Sequence, residues 1–260
     1  MREGRLLMNK GKRGILVLLF IAFIVIICVI LVPLIQKENP YNFEIQQTLQ
    51  KHDILEEDSN IKNKVTRSEC IEAVMKVLGA NKEANEDFFQ QDVEYTIYQD
   101  IIDDENFGYI QTSFFMDISC GRAKTQKWQG EKVRELYFCP DEKVTLKEAC
   151  AFIVRSLEQY SIQDILYDDE VKPSSLRKTY KRAKELGIIQ STDSFYSILG
   201  GRKITYEDLS VLLYRMLNQP RYWYIEKSMS EWASFPSWNY KTDEDRSMTY
   251  REFLDKRRDE

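Results

Sequence analysis

The chain has 260 residues, a formal net charge of −5, 30% charged residues and 12% aromatic residues. Aromatic side chains are plentiful, whereas glycine and proline occur only 10 and 6 times, so the composition predicts a folded chain with a core rather than a disordered one. Residues 36–260 carry 32 basic against 41 acidic side chains. This acidic balance argues against nucleic acid as a partner and against docking on anionic lipid.

An uncharged apolar run, residues 15–35, follows a short basic tail. Its length matches the roughly 30 Å hydrocarbon core of a bilayer, so it predicts one transmembrane helix. A cleaved signal peptide would have a shorter apolar region and a small-residue cleavage site, and neither is present. Residues 1–14 carry five basic side chains against one acid. The positive-inside rule then predicts a single-pass protein of the cell membrane, with a cytoplasmic N-terminus and residues 36–260 outside the cytoplasm.

One short pattern recurs three times in the predicted exterior part: a β-branched residue, a threonine, two variable residues and an acid. The copies are residues 65–69, 144–148 and 204–208. Each threonine suits the N-cap of a helix, and the acid three residues later completes a capping box. The predicted structural caps are Thr66, Thr145 and Thr205.

The three copies also agree beyond the box. Apolar residues stand eight and twelve positions after each threonine, which places them on one face of a helix. A basic residue stands ten positions after it, and we interpret it as a solvated or snorkelling side chain rather than a ligand contact. The basic residues are Lys76, Arg155 and Arg215.

A further helix is predicted before each of these. It ends at Gly187 in the third copy, at residues 108–110 in the second, and near Asp53 in a reduced first copy. The result is three helix-loop-helix units, about 41–79, 88–159 and 165–219, with a polar insertion around 119–135. Repeated units of this kind are typical of binding surfaces and scaffolds rather than of a single catalytic pocket.

Four cysteines lie in the predicted exterior part. Cys70 and Cys150 fall within apolar helix patterns and are expected in the core. Cys120 and Cys139 flank the polar insertion and either pair as a disulfide or remain free thiols. The chain has no C-x-x-C pattern, so the sequence predicts neither a metal site nor a cofactor.

Residues 220–260 form an aromatic C-terminal extension with three of the four tryptophans. The cluster is either a contact for carbohydrate or protein, or it packs back on the helices, which we favour. Thr249 and Glu252 resemble a fourth box that begins a last short helix.

The ordered motifs resemble the S-layer homology family. Its repeat has an aspartate after an aromatic residue, a helix ending in Gly-Ile-Ile, a Phe-x-Pro loop, and a Thr-Arg-Ala-Glu start to the second helix. The matching segments are 89–93, 108–110, 138–141, 145–148, 187–189 and 205–208. The resemblance implies a mainly α fold, in which helix-loop-helix repeats form a pseudo-threefold bundle over residues 36–219 behind the single transmembrane helix.

The resemblance also implies that secondary cell-wall polysaccharide binds in the grooves between repeats, through the arginine of the Thr-Arg-Ala-Glu motif and polar residues beside it. Arg67 keeps this arginine and is expected to face solvent, whereas Leu146 and Tyr206 replace it in the other copies. The candidate ligand contacts are Arg67, Glu69, Lys147 and Glu148.

Enzymatic function finds little support in the sequence. His52 is the only histidine, and the phosphate-binding and nucleophile motifs are absent. The leading hypothesis is therefore a non-catalytic, membrane-anchored envelope protein that contacts wall polysaccharide. The alternatives are a degenerate protein-interaction module of an envelope complex and, less favoured, a glycan-processing enzyme that uses two carboxylates.

Overall fold

A computed structural model describes residues 39–55, 60–80, 97–128, 131–158, 176–220 and 248–259. The chain divides into two compact units by its internal contacts. One comprises Tyr41–Gln190 with Phe195–Glu260, and the other comprises Met1–Pro40 with Ser191–Ser194. All helices and strands of the described residues lie in the first of these units.

The described residues form seven helices and one two-stranded antiparallel sheet. In chain order they are α1 (Phe43–Lys51), α2 (Arg67–Val77), α3 (Phe107–Phe115), β1 (Arg122–Trp128), β2 (Glu131–Tyr137), α4 (Leu146–Glu158), α5 (Leu176–Glu185), α6 (Tyr206–Leu217) and α7 (Tyr250–Asp259).

The capping boxes begin α2, α4 and α6. Thr66 accepts a hydrogen bond from the Glu69 amide, and Thr205 accepts one from the Asp208 amide, with both acids reaching back to the cap amide. Thr145 and Glu148 exchange the same two bonds, at 3.2 and 2.9 Å. The predicted caps are therefore present in all three copies, because each exposed first-turn amide finds its acceptor locally.

The helices before the boxes also end alike. A residue with positive φ follows each of α1, α3 and α5, and the amide of the next isoleucine bonds to a carbonyl five residues back. This is the Schellman type of helix end, which favours glycine at the positive-φ position. The positive-φ residues are Asp53, Asp117 and Gly187. These turns define repeat 1 (α1–α2), repeat 2 (α3–α4) and repeat 3 (α5–α6).

The three repeats meet through the β-branched residues that precede the caps. Val65 donates to the carbonyl of Ile204, Ile204 donates to that of Val144, and Val144 donates to that of Val65, at 3.1, 3.2 and 2.9 Å. The three backbone bonds close a ring, and all three side chains are fully buried. The apolar positions eight and twelve residues after each cap are buried as well, so the predicted helical faces are confirmed. They are Val74, Leu78, Ile153, Leu157, Leu213 and Leu217.

The predicted fold class, a mainly α pseudo-threefold bundle of the S-layer homology type with one transmembrane helix, is wrong for this chain. The region predicted as a polar insertion forms the β1–β2 hairpin, with Arg122 opposite Tyr137 and Trp128 opposite Glu131. No helix in the described ranges is long and apolar enough to cross a membrane. The predicted transmembrane segment, residues 15–35, lies outside the described residues.

The predicted helix end at residues 108–110 is also wrong, because these residues lie inside α3, where Gly108, Tyr109 and Ile110 are buried. Residues 97–106, the described segment before α3, are not helical. Asp100 in this segment accepts hydrogen bonds from the amides of Phe138 and Cys139 at 2.7 and 2.8 Å. Asp100 thus fastens this segment to the loop before the second capping box. Asp92 and Asp168, the acids that the sequence places 16 and 19 residues before Gly108 and Gly187, lie outside the described residues.

Candidate functional site

The groove between repeats 1 and 2 is the candidate site, because it contains the arginine expected to contact a ligand. Arg67 is the first residue of α2 and is only 3% exposed. The expectation that it faces solvent is therefore wrong. Its side chain crosses into repeat 2, where the ring of Phe138 lies 4.8 Å and that of Phe152 lies 5.4 Å from the guanidinium carbon.

The guanidinium of Arg67 is held by three acceptors. Its Nε donates to the carbonyl of Phe138 at 2.8 Å, and its Nη1 donates to Glu148 Oε1 at 2.8 Å. Its Nη2 lies 3.4 Å from the carbonyl of Cys120. A guanidinium that is stacked and bonded in this way joins two repeats, and it has little remaining capacity to bind a ligand.

Glu148 is the acidic centre of this groove. It accepts from Arg67 of repeat 1, from Arg122 on β1 at 3.2 Å, and from Thr145 in its own box. Burial raises the pKa of this carboxyl, but the Thr145 hydrogen bonds and the Arg67 charge outweigh burial and hold the pKa below its ordinary value. Arg122 is also paired with Glu142 at 2.5 Å, so the charges of the groove neutralise one another.

The two other grooves follow the same plan with different residues. Tyr206, the first residue of α6, bonds through its side chain to the capping acid Glu69 of repeat 1. Leu146, the first residue of α4, is fully buried. Asp208 of repeat 3 is held by Arg202 at 2.9 Å instead. Each box acid therefore has a cationic or hydroxyl partner, and the first helical position of each repeat serves the contact between repeats.

Helix N-termini commonly bind anions, but those of α2, α4 and α6 are satisfied by the protein itself. The first two amides of each of these three helices donate to carbonyls in the loop of the neighbouring repeat, at 2.8–3.1 Å. The pairs are Arg67–Glu142, Ser68–Pro140, Leu146–Arg202, Lys147–Gly200, Tyr206–Asn63 and Glu207–Ile61. Since the third amide bonds to the capping threonine, the first turns offer no unused donor to a ligand.

The remaining predicted ligand contacts are placed differently. Glu69 is committed to its capping box, and its pKa is lowered because hydrogen bonds from Thr66 and Tyr206 outweigh the effect of burial. Lys147 is partly exposed at the groove between repeats 2 and 3. The structure thus brings Arg67 and Glu148 together as an ion pair, while Glu69 and Lys147 lie at other grooves.

The pattern predicted a solvated or snorkelling side chain at the basic position ten residues after each cap, but this is not so in every repeat. Arg155 is only 4% exposed and donates to the carbonyl of Ile118 at 3.2 Å. Arg215 donates to the equivalent carbonyl of Ile188 at 3.1 Å. In repeats 2 and 3 this position therefore fastens the second helix to the end of the first.

All four cysteines of the described residues are free, so Cys120 and Cys139 are not paired as a disulfide. The Cys120 sulfur accepts a hydrogen bond from Arg155 at 2.6 Å. Cys70 and Cys150 are buried in the core, as predicted, and burial raises the pKa of the Cys70 thiol to about 12.

The end of the chain packs on repeat 1. Thr249 and Glu252 form the predicted fourth box, at 2.6 and 3.3 Å, and α7 follows it. Arg257 on α7 donates to the carbonyl of Gly79 at 2.6 Å. The three tryptophans of the aromatic extension lie outside the described residues.

No protein-family model matches the chain, and no curated protein matches its sequence.

Proposed function

We propose that this chain, whose sequence motifs resemble the S-layer homology family, is a non-catalytic binding or scaffold module of the bacterial cell envelope that contacts an envelope protein. Arg67 carries this proposal over the polysaccharide alternative. The one arginine that matches the family's glycan contact is buried, stacked and paired within the protein. Residues 15–35 and their basic flank remain the sequence basis for placing the chain at the membrane.

Because the grooves between repeats are closed, the proposed partner binds another surface of the chain. Phe43 on α1 is 75% exposed, and Ile102 before α3 is also exposed. Exposed aromatic and aliphatic side chains of this kind are frequent anchors of protein–protein interfaces. The sole histidine offers little to catalysis, because the side chain of His52 is buried beside Asp255 under α7. Burial lowers its pKa, with the Asp255 charge opposing that change.

The test compares two classes of partner with the same full chain. One pull-down offers purified acidic wall polysaccharide, and the other offers solubilised envelope proteins. We expect saturable, stoichiometric capture of one envelope protein and no saturable binding of polysaccharide. Polysaccharide binding that saturates and falls in an Arg67→Lys variant, which keeps the charge, would overturn the proposal in favour of a glycan-binding groove.

A further inference from the structure

The surface formed by α5 and the loop that follows it combines a basic helix face with an exposed aliphatic turn, although the chain as a whole is acidic. The helix reads LRKTYKRAKE, with five basic residues against one acid. Its Thr179, Tyr180 and Ala183 are buried, so the basic side chains occupy the opposite, exposed side. The only acid, Glu185, is shared between Lys181 at 3.7 Å and Arg182 at 3.2 Å. The helix itself therefore carries four more basic than acidic side chains.

An aliphatic tip lies beside this helix. Ile198 and Leu199 are 80% and 77% exposed, the highest values among the large apolar residues of the described chain. They are the two central residues of a turn that the Gly200 amide closes on the carbonyl of Ser197 at 3.1 Å. Adjacent aliphatic side chains at the end of a turn lose little surface to their own protein, so they are available for burial elsewhere.

The turn is held rigidly against the rest of the domain. Tyr180 on α5 donates to the carbonyl of Ser197 at 2.5 Å, and the Lys147 amide donates to that of Gly200 at 2.9 Å. Gly200 has a φ of +63°, and a side-chain carbon there would lie 2.9 Å from Lys147 Cβ. These contacts fix the turn against α4 and α5, so its binding requires little ordering of the loop.

The loop and the basic face belong to one surface. Lys184 on α5 donates to the Tyr196 hydroxyl at 2.7 Å, two residues before Ile198. Lys203, which is exposed, follows the turn on its other side. Basic side chains beside an exposed aliphatic pair are the arrangement that anionic bilayers bind, with the charges at the headgroups and the aliphatic side chains at the acyl boundary.

We propose that this surface, defined by α5 and the 197–200 turn, docks on an anionic phospholipid bilayer. A protein with an acidic patch would match the charges, but two adjacent and highly exposed aliphatic side chains at a turn suit the acyl boundary better than a flat protein surface. The inference concerns a different face from the grooves between repeats and does not depend on the partner proposed above.

The test places a photo-crosslinking benzoylphenylalanine at position 199 of the full chain, incubated with vesicles of phosphatidylglycerol or of phosphatidylcholine. We expect a lipid adduct, detected by mass spectrometry, that is at least fivefold stronger with phosphatidylglycerol and is suppressed by 0.5 M salt. The same group at position 43, which is also highly exposed but lies on α1, is the matched control and should give a much weaker adduct.

A charge variant separates docking from chance contact. Arg177→Gln with Lys181→Gln removes two exposed basic groups and should lower the adduct at position 199 at least fivefold, since each basic residue near an anionic surface contributes a factor of about five. An unchanged melting temperature would show that this variant remains folded. Equal adducts at positions 199 and 43, no effect of the charge variant, or a protein adduct in place of lipid when envelope proteins are present would each overturn the inference.

Discussion

Removing the Arg67 side chain should destabilise the fold, because the arginine links repeats 1 and 2. Arg67→Ala deletes the bonds to the Phe138 carbonyl and to Glu148, and the stacking on Phe138 and Phe152. Breaking a buried ion pair from one side typically costs about 3–5 kcal/mol. Glu148 keeps Arg122 and its own cap as partners, so we expect a smaller loss of about 2–4 kcal/mol in the free energy of unfolding.

Urea unfolding followed by circular dichroism measures this loss. Lys147→Ala is the matched control, because Lys147 occupies the second helical position of its own repeat and is partly exposed. It should change the free energy of unfolding by no more than about 0.5 kcal/mol. A double-mutant cycle of Arg67→Ala with Glu148→Ala should give a coupling energy of about 1–3 kcal/mol. If Arg67→Ala were as mild as Lys147→Ala, the arginine would be solvated and the groove open.

Three further predictions test the repeat and the turn. Thr66→Ala should lower the free energy of unfolding by about 1 kcal/mol in urea titrations, while Thr66→Ser should change it little, since only the hydroxyl cap is needed. Asp117→Asn should stabilise the protein at pH 7 by about 1–2 kcal/mol. Burial raises the pKa of the Asp117 carboxyl from its ordinary 3.8 to about 6 in the folded chain, so its ionisation lowers the free energy of unfolding as the pH rises between these two values. The gain should vanish in melts at pH 3.5, and a gain that persists there would point to backbone strain at φ 61° instead. Gly200→Ala should cost about 1–3 kcal/mol by calorimetry, whereas Gly201→Ala, with open space around it, should be nearly neutral; equal effects would refute the tight contact with Lys147.

The parts of the fold that depend on local chemistry could be predicted from the sequence. The capping boxes at Thr66, Thr145 and Thr205 were predictable, because a cap needs only a hydroxyl and an acid three residues apart. The buried helical faces followed from the 3.6-residue period. The β1–β2 hairpin was missed because its strands are rich in lysine and glutamate. The Gln129–Gly130 pair at their junction was the available signal for a two-residue turn.

The candidate site was less predictable, because its contacts join distant parts of the chain. The placement of Arg67 depends on Phe138, Phe152 and Glu148, which lie 71 or more positions later in the sequence. The role of Asp100 was missed in favour of Asp92, although Asp100 also follows an aromatic residue, Tyr98. Neither the burial of a first-turn arginine nor the choice between equivalent acids can be read from local spacing.

The central claim, that the grooves between repeats are closed by the protein's own groups, has a direct test in native-state hydrogen exchange of the full chain with and without acidic wall polysaccharide. The amides to follow are those of the first helical turns: Arg67, Ser68, Leu146, Lys147, Tyr206 and Glu207. Because each already donates to a neighbouring repeat, we predict strong protection without ligand and no change when polysaccharide is added. Fast exchange of these amides in the free chain, slowed by polysaccharide, would contradict the claim and identify the grooves as glycan sites.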